Sequence, residues 1–360
     1  MQLECKPDLD RSLERFEAWW DGQIIDRPPV TIYTPSGRDV KTPDKTHATL
    51  RDRWLDVEYN VAAFEASIAG ELFLGDTFPM FFPNVGPEVC ATLFGCELEF
   101  GETTSWSQPV AASCREILKI QPNFENVYWH TLGELTDLSL QRGAGKWLTG
   151  IPDLHMDGDL LAALRDPQEV CLEFYDDIDA IRAACEYTNT FYATIYDELY
   201  NRITATGQPC TTWATYLHSG RAYVTSCDLI CMISPEMLER TIMPSIREQM
   251  GWLDRNMFHL DGPGALKHLD TMLACKDLDA LQWVYGDGNE PAAKWAEVYQ
   301  KAQSAGKSIQ IYAVDINDAK ALAEHIKPEG AWFQVGGSHT RAETEDFLRW
   351  AERWAAGKKV

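Results

Sequence analysis

The chain has 360 residues, 45% of them hydrophobic, and its formal net charge is −23. This charge excludes a typical nucleic-acid-binding protein, because phosphate recognition needs clustered Lys and Arg. The sequence contains no apolar run of about 18 residues, so it predicts no membrane-spanning helix.

Two further features indicate the compartment. The N-terminal segment MQLECKPDLDRSLERF lacks the apolar stretch of a signal peptide. The ten cysteines form no C-x-x-C pair, which indicates reduced and mostly buried thiols rather than a disulfide framework. We therefore expect a cytoplasmic protein.

Short apolar runs alternate with longer helical patterns along the chain, as in βα units around a parallel sheet. Eight runs have the length and composition of strands: Pro29–Thr34, Glu71–Leu74, Trp147–Gly150, Thr211–Tyr216, Met257–Leu260, Ala280–Val284, Ser308–Ala313 and Ala331–Val335. Helical patterns follow the last four: Gly264–Ala274, Glu290–Ala305, Ile316–His325 and Arg341–Ala356. Eight strands suit a (β/α)8 barrel, so we predict an α/β fold of the TIM-barrel type. We expect one domain over residues 1–360, with the active site at the C-terminal mouth.

Local signals support some of these elements. Ser234-Pro235-Glu236 combines an N-cap, a first-turn proline and an early acid, and predicts a long helix that ends before the Met257 strand. Thr340 and Glu343 have the spacing of a capping box. The segment 76–109 is rich in Pro, Gly and aromatic residues, and we predict an elaborated loop over the barrel mouth.

The segment Met257–Gly288 carries the clearest indication of a site. His259 and Asp261 stand two residues apart near the end of a predicted strand, so their side chains leave the same face. In a barrel one strand face lines the lumen, where such a pair can share a metal or act as a general base oriented by its acid. The alternative interpretation is a buried pair that braces the Gly262-Pro263-Gly264 turn.

Other polar groups lie at or near predicted strand ends. Asp76 is interpreted as a carboxylate that anchors substrate or caps a loop, and Asp228 has the same two interpretations. His155 and Asp157 have the spacing of metal ligands, although a polar loop often produces this spacing by chance. His268 lies on a predicted helix, where packing is the favoured role.

Aromatic residues cluster at the same strand ends, and Tyr33 and Trp213 are candidates for substrate contact. Gln282 alternates with Trp283 and Tyr285, so one set faces the lumen and the other the helices; all three are candidates for substrate binding. A lumen lined by Trp and Tyr suits a flat or sugar-like ligand, a methylated aromatic or a quaternary amine. No glycine spacing matches a nucleotide-binding loop, so no nicotinamide, flavin or nucleotide cofactor is expected.

The order and spacing of these residues resemble the uroporphyrinogen decarboxylase-like superfamily. The resemblance covers nearly the whole chain and rests on Leu13–Tyr33, Leu74-Gly75-Asp76, Cys227-Asp228, Ile233–Met237 and His259–Gly288. That superfamily includes the porphyrinogen decarboxylase and the methyltransferases that pass methyl groups between corrinoid proteins and thiols. The resemblance implies a (β/α)8 barrel and a homodimer.

The resemblance also implies roles for single residues. Asp76 matches the catalytic aspartate of the decarboxylase; Arg38 matches one of its two substrate-binding arginines, and Thr34 replaces the other. His259 matches the zinc-binding histidine of the methyltransferases, with Asp261 in place of a ligand cysteine. The incomplete arginine pair disfavours a tetrapyrrole substrate with several carboxylates. A His/Asp site would also be more Lewis acidic than a thiolate site.

We therefore expect methyl transfer or demethylation of a small-molecule substrate, assisted by a divalent metal at His259 and Asp261. Zinc is the first candidate for this metal, and the resemblance implies a corrinoid protein as partner. The first alternative is a metal-independent decarboxylase or other lyase that uses Asp76 and Arg38. The second alternative is a non-catalytic barrel that binds a ligand or a corrinoid protein.

Overall fold

The computed structural model describes residues 2–357. Within this range the strands are numbered in chain order as follows: β1 Val30–Ile32, β2 Met80–Phe81, β3 Leu98–Phe100, β4 Ser105–Ser107, β5 Leu148–Thr149, β6 Ala222–Ser226, β7 Arg255–Asp261, β8 Ala280–Val284, β9 Ser308–Ala313 and β10 Ala331–Val335.

The α-helices of the described range are likewise numbered in chain order: α1 Leu9–Trp20, α2 Leu50–Trp54, α3 Val57–Ser67, α4 Val89–Leu93, α5 Cys114–Ile117, α6 Val127–Gly143, α7 Asp157–Arg165, α8 Pro167–Asp176, α9 Ile178–Asn189, α10 Tyr192–Thr204, α11 Pro235–Thr241, α12 Met243–Trp252, α13 Leu269–Leu273, α14 Ala296–Ser304, α15 Ile316–Ala323 and α16 Arg341–Ala355. Short 3-10 helices occupy Ile68–Gly70, Asp228–Met232, Pro263–His268 and Ala292–Trp295. Over residues 2–357, none of the helices combines the length and the apolar character needed to cross a membrane.

The fold is an α/β barrel of the TIM type, as the sequence predicts. Six parallel strands form one sheet in the order β1-β10-β9-β8-β7-β6, and β2 pairs in parallel with β5. The first strand of the chain thus pairs with the last, which is the pairing that a barrel requires. Helices lie between consecutive strands from β6 to β10, so the C-terminal ends of these strands share one edge.

Helix α1 closes the N-terminal end of the barrel. Its apolar side buries Phe16 and Trp19, whose rings pack against Trp332 with centroid separations of 5.1 and 5.3 Å. The Trp19 indole N–H also donates to the carbonyl oxygen of Ile309, at 3.2 Å. This plug of aromatic rings fills the lumen at that end and leaves the opposite end for a site.

Two of the predicted strands are wrong. Residues 71–74 form no strand, because Leu72 donates to Thr34 and Leu74 donates back to Leu72, which turns the backbone. Residues 211–216 form a single isolated bridge, between Thr212 and Ile151, and Thr215 adopts a φ of +56°, which an extended ladder does not accommodate. The barrel instead uses β2 and β6, and all five residues of β6 are buried.

The other predicted strands are confirmed, and three of them (β8, β9 and β10) have the predicted bounds. The predicted helices after β7 and β8 begin as 3-10 turns, and the long helix that starts at Ser234 is divided into α11 and α12 because Pro244 opens a new helix. Both predicted caps form: Ser234 Oγ accepts from the Met237 amide, and Thr340 forms a capping box with Glu343. The segment 76–109 carries β2, α4 and the β3–β4 hairpin.

Candidate metal centre at the barrel mouth

Three side chains meet at the C-terminal ends of β6 and β7. His259 and Asp261 lie on β7, and Asp228 begins the 3-10 helix just after β6. One ligand atom from each of these three residues lies within 4.8 Å of the other two, and the His259 Nε2 to Asp228 Oδ1 distance is 3.9 Å. The structure therefore brings together the predicted His259–Asp261 pair and Asp228, which the sequence presented as a separate candidate.

Strand register and a carboxylate clamp hold Asp228 in place. Ser226 pairs with His259 across β6 and β7, so Asp228 follows two residues beyond that pair. The carboxylate of Asp159, at the start of α7, accepts hydrogen bonds from the backbone amides of Asp228 at 2.8 Å and Leu229 at 2.9 Å. This clamp leaves the Asp228 side chain about half exposed and directed toward His259.

The electrostatics of the triad favour a bound cation. Desolvation and the negative charge of Asp159 raise the pKa of Asp228, although His259 acts in the opposite direction. Desolvation also raises the pKa of Asp261, which faces the same imidazole and the charge of Asp228. Carboxylates whose charged forms are disfavoured by burial and by each other gain most from a nearby positive charge.

The surroundings of His259 suit a metal ligand. Its Nδ1 is hydrogen-bonded to Gln282 Oε1, and its Nε2 faces Asp228. Histidine ligands in metalloproteins commonly donate the second ring N–H to such a partner, which fixes the ring orientation. The Trp213 and His259 rings also pack in an edge-to-face arrangement, with centroids 5.6 Å apart at 81°.

The donor set fits a divalent cation. One imidazole nitrogen and two carboxylate oxygens can complete part of a tetrahedral or octahedral shell, and catalytic zinc sites commonly keep three protein ligands with one open position. Nitrogen and oxygen donors without a thiolate also suit Mn²⁺ or Fe²⁺. His259, Asp261 and Asp228 are the residues that would hold the ion.

A cleft of about 350 Å³ adjoins the triad at Asp228. Its walls include Glu88 and Trp106 from the 76–109 segment, His155 and Asp159 after β5, and Met232. Part of the segment 76–109 thus supplies one side of this cleft. Its lining residues include three carboxylates and neither Lys nor Arg.

His155 is the positive group of this cleft. Burial alone would lower its pKa, but Asp153 at 3.0 Å and Asp159 at 4.0 Å raise the pKa to about 10. The imidazolium is therefore already neutralised by two carboxylates. Its predicted companion, Asp157, is 2% exposed and turns into the protein, so the two do not form a ligand pair.

Asp76 does not join the mouth. It is fully buried and binds Arg27 at 2.5 Å, Arg15 at 3.0 Å and the Val30 amide at 2.9 Å. Burial would raise its pKa, but the two guanidinium groups hold the pKa below its ordinary value. In this structure Asp76 is an internal ion-pair partner whose oxygens are already engaged.

The remaining predicted residues divide between the site and its surroundings. Gln282 lies in the lumen beside His259, whereas Trp283 is fully buried on the opposite face against Trp295. Tyr285 donates its hydroxyl to the Tyr312 carbonyl at 2.8 Å. Tyr33 and Arg38 are exposed, and Arg38 lines a separate cleft with Arg341.

His268 and Asp159 both contact the short helix that begins at Asp228. His268 is buried, with Nε2 bonded to the Ile230 carbonyl at 2.8 Å, and desolvation lowers its pKa, in agreement with the predicted packing role. Asp159 is absent from the sequence candidates. The only local signal is its position four residues after His155 in the acidic segment that follows β5.

Comparison with known proteins identifies the fold and no family. No protein-family model matches the chain, and no curated protein matches it. Eighteen chains of solved structures match, among them a methyltransferase from Methanosarcina mazei with a TM-score of 0.58. That alignment covers 94% of this chain and 97% of the other at 14% identity. A likeness at this identity supports the barrel fold over nearly the full length of both chains.

Proposed function

We propose that this protein is a metal-assisted methyltransferase that acts on a small methylated compound. The observation that carries the proposal is the Asp228–His259–Asp261 triad at the mouth of a barrel whose fold is shared with a methyltransferase. The sequence resemblance adds the uroporphyrinogen decarboxylase-like superfamily and a corrinoid protein as the methyl acceptor.

Methyl transfer requires stabilisation of the heteroatom from which the methyl group departs. In methyl transfer a nucleophile attacks the methyl carbon, and the electron pair of the broken bond remains on the heteroatom that carried the methyl group. A divalent cation held by the triad would supply Lewis acidity to the electron pair that the departing heteroatom gains as its bond to the methyl carbon breaks. His259, Asp261 and Asp228 would position the cation, and Asp159 would hold Asp228 through its backbone.

The charges that line the cleft favour a neutral or positively charged substrate. Glu88, Asp159 and Asp228 line it, the charge of His155 is balanced by its two aspartates, and Trp106 is 54% exposed at its rim. An aromatic face beside carboxylates attracts methylated ammonium groups through cation–π and Coulomb interactions. A substrate with several carboxylates would be repelled from the same surface.

The lyase alternative has less support from the geometry. Asp76 is fully buried against Arg15 and Arg27, whereas Arg38 is exposed and lines a cleft that does not include Asp76. The cleft of Arg38 therefore does not offer a substrate both of the residues that this alternative needs. The non-catalytic barrel remains the competing hypothesis, and metal content together with a methyl-transfer assay separates it from an enzyme.

The test begins with the metal content of protein purified without a histidine tag, measured by elemental mass spectrometry. We expect near-stoichiometric metal in the wild type and its loss in His259→Ala and Asp261→Ala. The matched control is His130→Ala, which removes a largely exposed histidine paired with Glu134 on α6. Equal metal content in all four proteins would reject the triad as the metal site.

The second step measures transfer itself. Methylated amines, ethers and thioethers are mixed with the protein and reduced cobalamin, and methylcobalamin is followed by its absorbance. We expect turnover with at least one class and none in His259→Ala. Metal bound at the triad together with a ligand that is always released unaltered would favour the non-catalytic barrel.

A further inference from the structure

A row of side-chain amides crosses the barrel lumen behind His259. Gln282 on β8 contacts His259 on β7, Gln310 lies on β9, and Gln334 lies on β10. Gln282 Nε2 donates to Gln310 Oε1 at 2.5 Å, and Gln310 Nε2 donates to Gln334 Oε1 at 2.7 Å. Gln282 and Gln310 are fully buried, so water does not compete for the bond between them, and Gln334 is partly buried.

The row has a single direction. Each amide offers one oxygen that accepts and one nitrogen that donates. The Gln282 nitrogen is directed to Gln310 and, at 3.3 Å, to the Tyr312 hydroxyl, so its oxygen is the atom that faces His259. An amide oxygen only accepts, so His259 Nδ1 must carry the hydrogen in this contact.

Turning one amide around would disrupt its neighbours. If Gln282 reversed alone, its oxygen would meet the oxygen of Gln310, with no hydrogen between them. Unpaired polar atoms in a buried lumen are disfavoured. The orientation next to His259 is therefore coupled to residues two strands away.

We propose that Gln310 and Gln334 act through Gln282 as positioning residues that hold His259 in its Nδ1–H tautomer. Nε2 is then the nitrogen with a free lone pair, and it is the nitrogen that faces Asp228. The tautomer itself is independent of any bound metal, and only its consequence for metal affinity rests on the proposed function. The amide row thus prepares the imidazole as a ligand before an ion arrives.

The test reads the tautomer directly in the metal-free protein. Long-range ¹H–¹⁵N correlation spectra at alkaline pH distinguish Nδ1–H from Nε2–H imidazole, and the His259 signals are identified by their loss in His259→Ala. We expect the Nδ1–H pattern in the wild type. An Nε2–H pattern for His259 in the wild type would overturn the proposal, whatever the variants do.

Two variants show whether the amide row determines the tautomer of His259. Gln310→Met removes both the acceptor of Gln282 and the donor to Gln334 at similar side-chain length, and we expect Nε2–H signals to emerge. Tyr312→Phe is the matched control, because it removes the second acceptor of Gln282 and leaves the row intact; we expect the wild-type pattern. An unchanged tautomer in Gln310→Met, with the other histidine signals preserved as a check of folding, would overturn the proposal.

Zinc titration by calorimetry supplies a second readout. We expect Gln310→Met to bind Zn²⁺ about 10–100-fold more weakly than the wild type, as is typical when a residue that orients a ligand is lost, and Tyr312→Phe to retain affinity. Wild-type zinc affinity in a Gln310→Met protein would contradict the inference. A wild type with the Nδ1–H pattern that binds no metal would reject the proposed function and leave the amide row supported.

Discussion

His259 Nε2 and Asp228 Oδ1 lie 3.9 Å apart at the ends of neighbouring strands. This distance is too long for a direct hydrogen bond, which needs about 2.7–3.2 Å. Asp261 contributes the third ligand atom, and the three ligand atoms all lie within 4.8 Å of one another. A gap of this size between one imidazole and two carboxylates is suited to an ion that all three contact.

Metal binding should be stronger at higher pH and should release protons. Desolvation raises the pKa of Asp228 and of Asp261, so protons compete with the metal for both carboxylates as the pH falls. Zinc titrations in buffers of different ionisation enthalpy measure the released protons. A heat that is independent of the buffer, with an affinity that is independent of pH, would contradict the assignment of these carboxylates as ligands.

Asp159→Ala should weaken metal binding although Asp159 is not a ligand. It removes the acceptor of the Asp228 and Leu229 amides and so frees the segment that positions Asp228. We expect a loss of about 10–100-fold in zinc affinity. Asp270→Asn is the control, since Asp270 is an exposed partner of Lys301. Equal zinc affinities in the two variants would show that the hydrogen bonds of Asp159 do not contribute to metal binding.

Asp157→Asn should stabilise the protein at neutral pH. Burial raises the pKa of Asp157 to about 8, so the folded state retains a proton that the unfolded state loses near pH 4. Between these values the unfolded state binds fewer protons, and the free energy of unfolding falls by about 1.4 kcal/mol per pH unit. Asparagine keeps an acceptor for Gln249 and tolerates the φ of +55°.

The measurement is urea unfolding of the wild type and Asp157→Asn at several values of pH. The two curves of stability against pH should separate as the pH rises from 5 to 8, with the variant less dependent on pH. Parallel curves would show that Asp157 does not titrate in this range.

Asp76→Asn should destabilise the fold rather than affect the site alone. The change leaves the buried guanidinium group of Arg27 without its charge partner, whereas Arg15 keeps its ion pair with Asp26. Breaking a buried ion pair by removing one partner costs about 3–5 kcal/mol. Thermal unfolding measures the loss. Arg38→Ala, at an exposed position, should leave the stability within about 0.5 kcal/mol of the wild type. A stable Asp76→Asn protein that lacks activity would revive the lyase alternative.

The acidic cleft should discriminate by ligand charge. We expect a trimethylammonium compound to bind more tightly than a carboxylate of similar size, and salt to reduce the difference by screening. Trp106→Ala should weaken the ammonium compound selectively, because it removes the exposed aromatic face at the rim. Calorimetry at low and high salt gives both comparisons. Tighter binding of the carboxylate would reject the proposed substrate class.

Much of the barrel was open to prediction from the sequence alone. β8, β9 and β10 have the predicted bounds because each is a short apolar run between polar breaks. The missed strand β6 shows the limit, since AYVTS and the nearby TTWATY have similar strand propensity. The φ of Thr215 and the burial of β6 distinguish the two segments, and both depend on the folded chain.

The sequence by itself determined that His259 and Asp261 share a strand face, because side chains alternate with a period of two. It also determined the caps at Ser234 and Thr340, whose hydrogen bonds are local. Only the tertiary structure decided that this face looks into the lumen, that Asp228 joins the pair and that Asp76 is enclosed by arginines. These relationships depend on strand register and on contacts between distant segments, which a local pattern does not contain.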